Sequence, residues 1–181
     1  LSDGNILSYA GGDENSDFTS GGTVVENLKM EKDDATNGTV TLVDDLSVKT
    51  NLDFTASTNG NKLVLGAQDL LLTDQTTTIT NPSANDYIVA DAAGMVQKET
   101  NADGSFYFPV GDAADFSPVD VAYTSGTSTY TSANLRVNVD DVKHPNVPAD
   151  ADDFIERYWN VNETGIGDYA ATLTGTYPAS D

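Results

Sequence analysis

Short runs in which apolar and polar residues alternate dominate the chain, and they predict β-strands. Thr and Val, which favour strands, are concentrated in these runs. No window of the sequence holds the i, i+3, i+4, i+7 apolar spacing of an amphipathic helix. The sequence therefore predicts an all-β protein. Its clearest signal is a set of apolar pairs separated by one residue: Val40/Leu42, Leu46/Val48, Leu52/Phe54, Leu63/Leu65 and Leu70/Leu72.

These pairs recur along the chain with a nearly constant period. The separations are 23 residues from Val40 to Leu63, and 24 residues both from Leu46 to Leu70 and from Leu28 to Leu52. Three short strands in each period are typical of one coil of a β-solenoid. The Asn-Gly steps at 37–38 and 59–60 would also suit hairpins, so a meander is the alternative. We favour the solenoid, whose two periods must stack on something else to bury a core.

The pattern divides the chain into three predicted parts. Residues 1–23 are rich in Gly, Asp, Ser and Asn and predict an extended lead-in, and residues 24–81 hold the solenoid-like coils. Pro82 marks a boundary because proline disrupts strand pairing. Residues 82–181 then predict an antiparallel β-sandwich. Its strand candidates are Tyr87–Ala90, Met95–Glu99, Ser105–Val110, Val119–Thr124, Thr129–Val139, Phe154–Val161 and Tyr169–Tyr177.

The charge of the chain narrows the classes of partner. It has 29 acidic residues against 8 Lys and Arg, which gives a formal net charge of −21. Such a charge disfavours binding to nucleic acids and to anionic membrane surfaces. No apolar run is long enough to insert into a membrane as a helix. The absence of cysteine excludes disulfides and thiolate metal sites, so the fold depends on its core.

Five segments of the second half occur in an order that resembles a known module. They are Tyr87–Asp91, Gly94–Lys98, Phe106–Asp112, Phe116–Val119 and Arg157–Val161. Together they resemble a β-rich module of large secreted surface proteins, or adhesins, of Bacteroidetes-type bacteria. The "F-x-F-P-V-G" and "RYW-x-V" strands are its most specific elements. The resemblance covers about residues 40–177, including the solenoid-like region upstream of the module.

The resemblance implies a function without catalysis. Proteins with this module are exported by a type IX-like route and serve in adhesion, gliding or surface coating. We therefore expect a structural or adhesive module of an extracellular surface protein, or a filament subunit. Its partners would be copies of itself or neighbouring modules. Further strands usually follow the module, so we expect a sandwich that is incomplete at its C-terminal end.

Clustered aspartates are the strongest candidate for a metal site. Asp150, Asp152 and Asp153 follow closely on Asp140 and Asp141, in a loop that contains two prolines. Carboxylates on a flexible loop are the oxygen ligands that Ca²⁺ requires. The spacing is not that of an EF-hand. The alternative is a solvated, acidic turn without a bound ion.

Two other functions stay open at this stage. A Ca²⁺-dependent carbohydrate-binding module would use exposed aromatic residues, and a polysaccharide-active enzyme would need two carboxylates. No catalytic residue can be named, because acidic pairs arise by chance in so acidic a chain. His144 lies in a proline-flanked loop and is expected to be a surface residue. Tyr158 and Trp159 face opposite sides of one strand, and we expect Trp159 to be the core residue.

Overall fold

The computed structural model describes residues 6–9, 16–31, 38–55, 60–148 and 154–179. This part of the chain contains sixteen strands and no helix, and hence no helix that could cross a membrane. The first eight strands are β1 (Ile6–Tyr9), β2 (Ser16–Phe18), β3 (Val24–Met30), β4 (Gly38–Leu42), β5 (Leu46–Phe54), β6 (Asn61–Val64), β7 (Leu70–Leu72) and β8 (Thr78–Thr80). The other eight are β9 (Tyr87–Val89), β10 (Val96–Glu99), β11 (Gly104–Phe108), β12 (Val110–Gly111), β13 (Val119–Ser125), β14 (Tyr130–Asp140), β15 (Tyr158–Ile166) and β16 (Tyr169–Gly175).

Two parallel sheets form the coils of a solenoid. One consists of β2, β4, β6, β9 and β12, and the other of β1, β3, β5, β7 and β10, with β8 beside β5. The chain passes from one sheet to the other as it advances. The strand partners are those that the period predicts: Val40 pairs with Leu63, Leu46 with Leu70, and Leu28 with Leu52. Because all these pairings are parallel, the coils are a solenoid and the meander is excluded.

The number of strands in a coil differs from the prediction. The apolar pairs Leu46/Val48 and Leu52/Phe54 belong to one nine-residue strand, β5, instead of two. Opposite this strand, the next coil has two separate strands, β7 and β8. The polar residues in the middle of β5 do not interrupt it, because an extended strand can expose them while it buries the residues on either side.

The parallel pairing begins before residue 24 and continues beyond Pro82. In the predicted lead-in, β1 and β2 already pair with coil strands. Beyond the proline, β9 pairs with β6, β10 with β7, and β12 with β9, all in parallel. Pro82 lies in the turn between β8 and β9, where it removes no ladder hydrogen bond. It therefore lengthens one coil instead of ending the solenoid.

The antiparallel part is a small sandwich built directly on the last coil. Strand β10 pairs with β7 on one side and with the antiparallel β14 on the other, and β14 pairs with β15. A second sheet of β11, β13 and β16 lies opposite. The predicted strand Ser105–Val110 is divided at Pro109, so that β11 belongs to the sandwich and β12 to a coil sheet.

One hydrophobic core extends through both parts. Alternate residues are buried along the coil strand β4 and along the sandwich strand β13. Leu52 and Leu63 of the coils and Leu135 and Val137 of the sandwich are fully buried in the same cluster. Each such side chain contributes roughly 1.5–3 kcal/mol of transfer free energy. The coils thus find in the sandwich the additional packing surface that two isolated periods would lack.

Candidate functional site

A buried arginine lies where the last coil meets the sandwich. The Arg157 side chain is 1% exposed and forms an ion pair with Asp112, which follows β12 directly. It also approaches Asp141 at 2.9 Å, just after β14, and Asp115 at 3.8 Å. The Ser117 hydroxyl accepts a further hydrogen bond of 2.8 Å from the same guanidinium. One arginine thereby connects the end of the coils with the beginning of β15. We call Arg157, Asp112, Asp115, Asp141 and Ser117 the arginine cluster.

Coil residues approach the arginine cluster from the other side. The Tyr87 hydroxyl donates a hydrogen bond of 2.9 Å to the carbonyl oxygen of Asp112. Lys62 lies over the Tyr87 ring, 4.8 Å from its centroid, and donates to the Ala113 carbonyl at 2.7 Å. Burial lowers the pKa of Lys62, although Asp112 and Asp115 oppose this effect. The loop 112–117 is therefore held by side chains from both parts of the molecule.

The carboxylate of Asp112 is the centre of the arginine cluster. Burial raises its pKa, but the amides of Asp115 and Ala114 and the Arg157 guanidinium together lower the pKa below its ordinary value. The two amides donate to Asp112 Oδ1 at 2.9 and 2.6 Å. A buried ion pair whose remaining atoms are hydrogen-bonded keeps a fixed geometry, and removing one partner leaves a costly buried charge. This chemistry suits a rigid joint.

Trp159 adds an apolar contact beside the arginine cluster. Its indole N–H donates a hydrogen bond of 2.8 Å to the Ser117 carbonyl, and its ring packs against the core. A Cβ atom added at Gly175 would lie 2.6 Å from the ring, so the tryptophan sits directly on the β16 backbone. Tyr158, its neighbour, contacts the ring of His144 at 4.6 Å. Trp159 is the residue that joins the core, as expected from the sequence.

Two of the five predicted calcium ligands lie in the described residues, and both are engaged with protein groups. Asp141 pairs with Arg157, and Asp140 accepts a hydrogen bond of 2.7 Å from the Asn160 amide. Asp150, Asp152 and Asp153 lie outside the described residues. Within the described ranges, no three acidic or histidine side chains are arranged to hold a metal ion. The calcium site therefore stays a prediction, with Asp141 assigned to the arginine cluster.

A polar groove lies at the opposite end of β10 from the β7 pairing with Leu70. Two shallow pockets of about 360 and 340 Å³ share Asn101 and Tyr130. The Tyr130 hydroxyl donates to Asp103, which also accepts from the Ser125 amide at 2.8 Å. Both hydrogen bonds lower the pKa of Asp103. Other groove residues are polar as well: Thr73, Asp74, Gln75, Glu99 and Ser132. We call this surface the Tyr130 groove.

Carboxylates at the coil turns have a role that the sequence analysis missed. Asp45 accepts a hydrogen bond of 2.8 Å from the Asp69 amide of the next coil, and Asp69 accepts one of 2.9 Å from the Met95 amide. Asp44 accepts in the same way from the amides of Ser20 and Gly21 in the preceding coil. The 24-residue separation of Asp45 and Asp69 is the solenoid period, and it could have revealed these contacts.

Comparison with known proteins adds no identification. No family model, curated protein or solved structure matches the chain. The resemblance to Bacteroidetes surface modules therefore stays a prediction. Two of the segments that carry it meet in the arginine cluster, since Asp112 ends one and Arg157 begins the other. The contact gives these segments a structural role in this fold.

Proposed function

We propose that the chain is a non-catalytic structural module of an extracellular surface protein or filament. The coils and the sandwich would act as one stiff unit that transmits force along its length. The observation that carries this proposal is the joint between them. The sheet is hydrogen-bonded without interruption from β7 through β10 to β14, and the arginine cluster holds the facing loops together.

The extracellular location and the adhesive role derive from the resemblance described above. The net charge of −21 is compatible with them, since a highly charged exterior keeps a protein soluble. Copies of the chain or neighbouring modules would be its partners. In this proposal no side chain performs chemistry, and the ionised groups serve hydrogen bonding within the fold.

Single-molecule force spectroscopy on the complete chain tests the proposal. We expect the wild type to unfold in one cooperative event. Arg157→Met removes one partner of a buried charge cluster, which costs about 3–5 kcal/mol. In this variant we expect two events, because the sandwich would unfold before the coils.

Arg136→Met is the matched control. Arg136 also pairs with an aspartate, Asp69, but its side chain is 35% exposed, so the pair contributes little. We expect this variant to unfold in one event, as the wild type does. Two independent events in the wild type itself would overturn the proposal of a single stiff unit.

A second candidate function, carbohydrate binding, is favoured by the Tyr130 groove. Its amides, hydroxyls and carboxylates are the polar groups that hydrogen-bond sugar hydroxyls, and Tyr130 supplies an aromatic ring. A glycan array with and without EDTA tests this function and its dependence on Ca²⁺. We expect Asn101→Ala to abolish any binding and Asn146→Ala, an exposed asparagine outside the groove, to leave it unchanged. Binding that survives Asn101→Ala would exclude the groove as the site.

A further inference from the structure

One side of the sandwich is open between strands β15 and β16. Among the described strands, β15 pairs with β14 alone and β16 pairs with β13 alone. The two strands are consecutive in sequence but belong to opposite sheets. Each is therefore the edge of its sheet, and the two edges border the same side of the sandwich.

The register shows that apolar positions on this side lack a cover. Leu173 of β16 pairs with Val121 of β13, so the two side chains lie on the same face of their sheet. Val121 is fully buried, yet Leu173 is 49% exposed. Ala171, which pairs with the buried Tyr123, is exposed as well. The inward face of the sandwich thus extends to β16 without anything to cover it there.

The opposite sheet has the same gap. Val161 of β15 pairs with Val137 of β14, a fully buried residue, but Val161 itself is only half-buried. Trp159 closes the gap at one end by packing on Gly175. Two residues further along each strand, at Val161 and Leu173, the gap is open. We call the side of the sandwich between β15 and β16 the open edge.

The open edge also lacks the charges that usually protect exposed strands. Natural proteins place lysines, prolines or inward-pointing charges on edge strands to prevent pairing with other chains. Strand β16 has no charged residue, and β15 has one, Glu163, in a chain with 37 charged side chains among Lys, Arg, Asp and Glu. An uncharged edge is where two copies with a charge of −21 each can approach with the least repulsion.

The opposite end of the same sheet offers a matching strand. Strands β1 and β15 are the two ends of the eight-stranded sheet. The strands from β1 to β10 are parallel, β14 runs against them, and β15 runs against β14. Strand β15 therefore runs in the same direction as β1. In addition, β1 has no charged residue, and among the described strands it pairs with β3 alone.

We propose that a second copy of this chain docks on the open edge, with its β1 strand beside β15. The eight-stranded sheet then continues from one copy into the next through a parallel pairing like those within the coils. The incoming copy covers Val161 and Leu173. Because the contact is head-to-tail, it does not close on itself and produces a chain of molecules. This inference rests on the proposed structural function and specifies the partner.

Sedimentation and electron microscopy of the complete chain at physiological ionic strength test the assembly. We expect the average mass to rise with protein concentration and linear chains of particles to appear. Leu173→Lys places a charge in the contact, which should raise the concentration for half-assembly at least tenfold, about 1.4 kcal/mol. Val43→Lys is the matched control, because Val43 is also an aliphatic residue about half exposed, but lies at a coil turn. We expect it to assemble as the wild type does.

Cross-linking tests which strands meet. The chain has no cysteine, so Ser8→Cys in β1 and Thr164→Cys in β15 each introduce a unique thiol. A short bismaleimide should join the two variants when they are mixed, but neither variant to itself. Joining of Thr164→Cys to itself would overturn the head-to-tail contact in favour of a closed dimer.

Two further outcomes would overturn the proposal. One is a wild type that stays monomeric at all concentrations tested. The other is assembly that tolerates lysine at position 173 and also Thr172→Lys, which serves if circular dichroism shows that Leu173→Lys is misfolded. The force experiment uses single molecules, so it can support the stiff module even when assembly fails. The two proposals therefore fail independently.

Discussion

The coils and the sandwich contain similar strands but are stabilised in different ways. In the coils, each strand between the two ends of the solenoid has a parallel partner on both sides, and side chains at the turns bind the backbone of the next coil. In the sandwich, one edge is open and a single buried arginine fixes the position of β15. Repetition thus spreads stability over many equivalent contacts, whereas the sandwich concentrates it in a few.

The acidity of the chain has a different meaning in each part. At the coil turns, Asp44 accepts hydrogen bonds from the Ser20 and Gly21 amides, which lower its pKa. These carboxylates satisfy amide groups that the turns leave without ladder partners. In the sandwich, Asp112 and Asp141 serve one buried guanidinium. Much of the negative charge therefore has structural partners, and solubility is only one of its consequences.

Truncating one leucine in each part should produce the largest difference between them. Leu52→Ala in the coils should lower the free energy of unfolding by about 2–5 kcal/mol, because Leu52 is fully buried among close-packed neighbours. Leu173→Ala in β16 should lower it by less than about 0.5 kcal/mol, because Leu173 is half exposed. Urea unfolding, followed by circular dichroism at a low protein concentration, measures both values.

The low concentration keeps the chain monomeric in that experiment. If Leu173→Ala costs as much as Leu52→Ala under these conditions, β16 is covered within a single molecule. The open edge would then not exist in solution. A cost that appears only at high concentration would show instead that a second copy covers Leu173.

The coils were predictable because one short pattern repeats. The period placed Leu46 opposite Leu70 and Val40 opposite Leu63, as the structure confirms. The end of the solenoid was not predictable in the same way. Pro82 suggested a boundary, but a turn accommodates it, and the coils after it are a few residues longer. A fixed period cannot reveal a coil whose turn has grown.

The arginine cluster could not be predicted from spacing. Arg157 and Asp112 are 45 residues apart and meet only because β14 and β15 extend the sheet beside the last coil. The sequence marked Asp141 as an acidic residue but not as the partner of an arginine. Identifying such a pair requires the topology of the sandwich, which local patterns did not specify. Both residues nevertheless lie in segments that the resemblance singled out.

Lys98 should give the boundary between the two parts a distinct response to pH. Its ammonium group donates to the carbonyls of Asp74 and Gln75 at 2.6 and 2.7 Å, and lies 5.2 Å from the centre of the Phe106 ring. Burial lowers the pKa of Lys98 from 10.5 to about 8, although Asp74 and Glu99 oppose it. Between these two values the unfolded chain binds more protons than the folded one, so stability should rise with pH.

We expect the wild type to gain about 1–2 kcal/mol over Lys98→Met between pH 8 and pH 9.5. Urea unfolding of both proteins across this range measures the difference. The range ends below pH 10 because tyrosines such as Tyr130, whose pKa is raised to about 12, then begin to destabilise the fold in both proteins. Parallel pH profiles for the two proteins would show that Lys98 keeps its proton throughout the range.

The smallest expected effect concerns a single hydrogen bond between coils. Asp45→Ala removes the acceptor of the Asp69 amide at an exposed turn, which should cost about 0.5–1.5 kcal/mol in urea unfolding. Asp45→Asn retains a side-chain oxygen and should lose less than half of that. Asp120→Ala, at an exposed position of β13 in the sandwich, should lose less still, because the sandwich has no repeating contacts of this kind. Equal losses for all three variants would mean that general charge repulsion, and not the bond between coils, determines what a turn aspartate contributes.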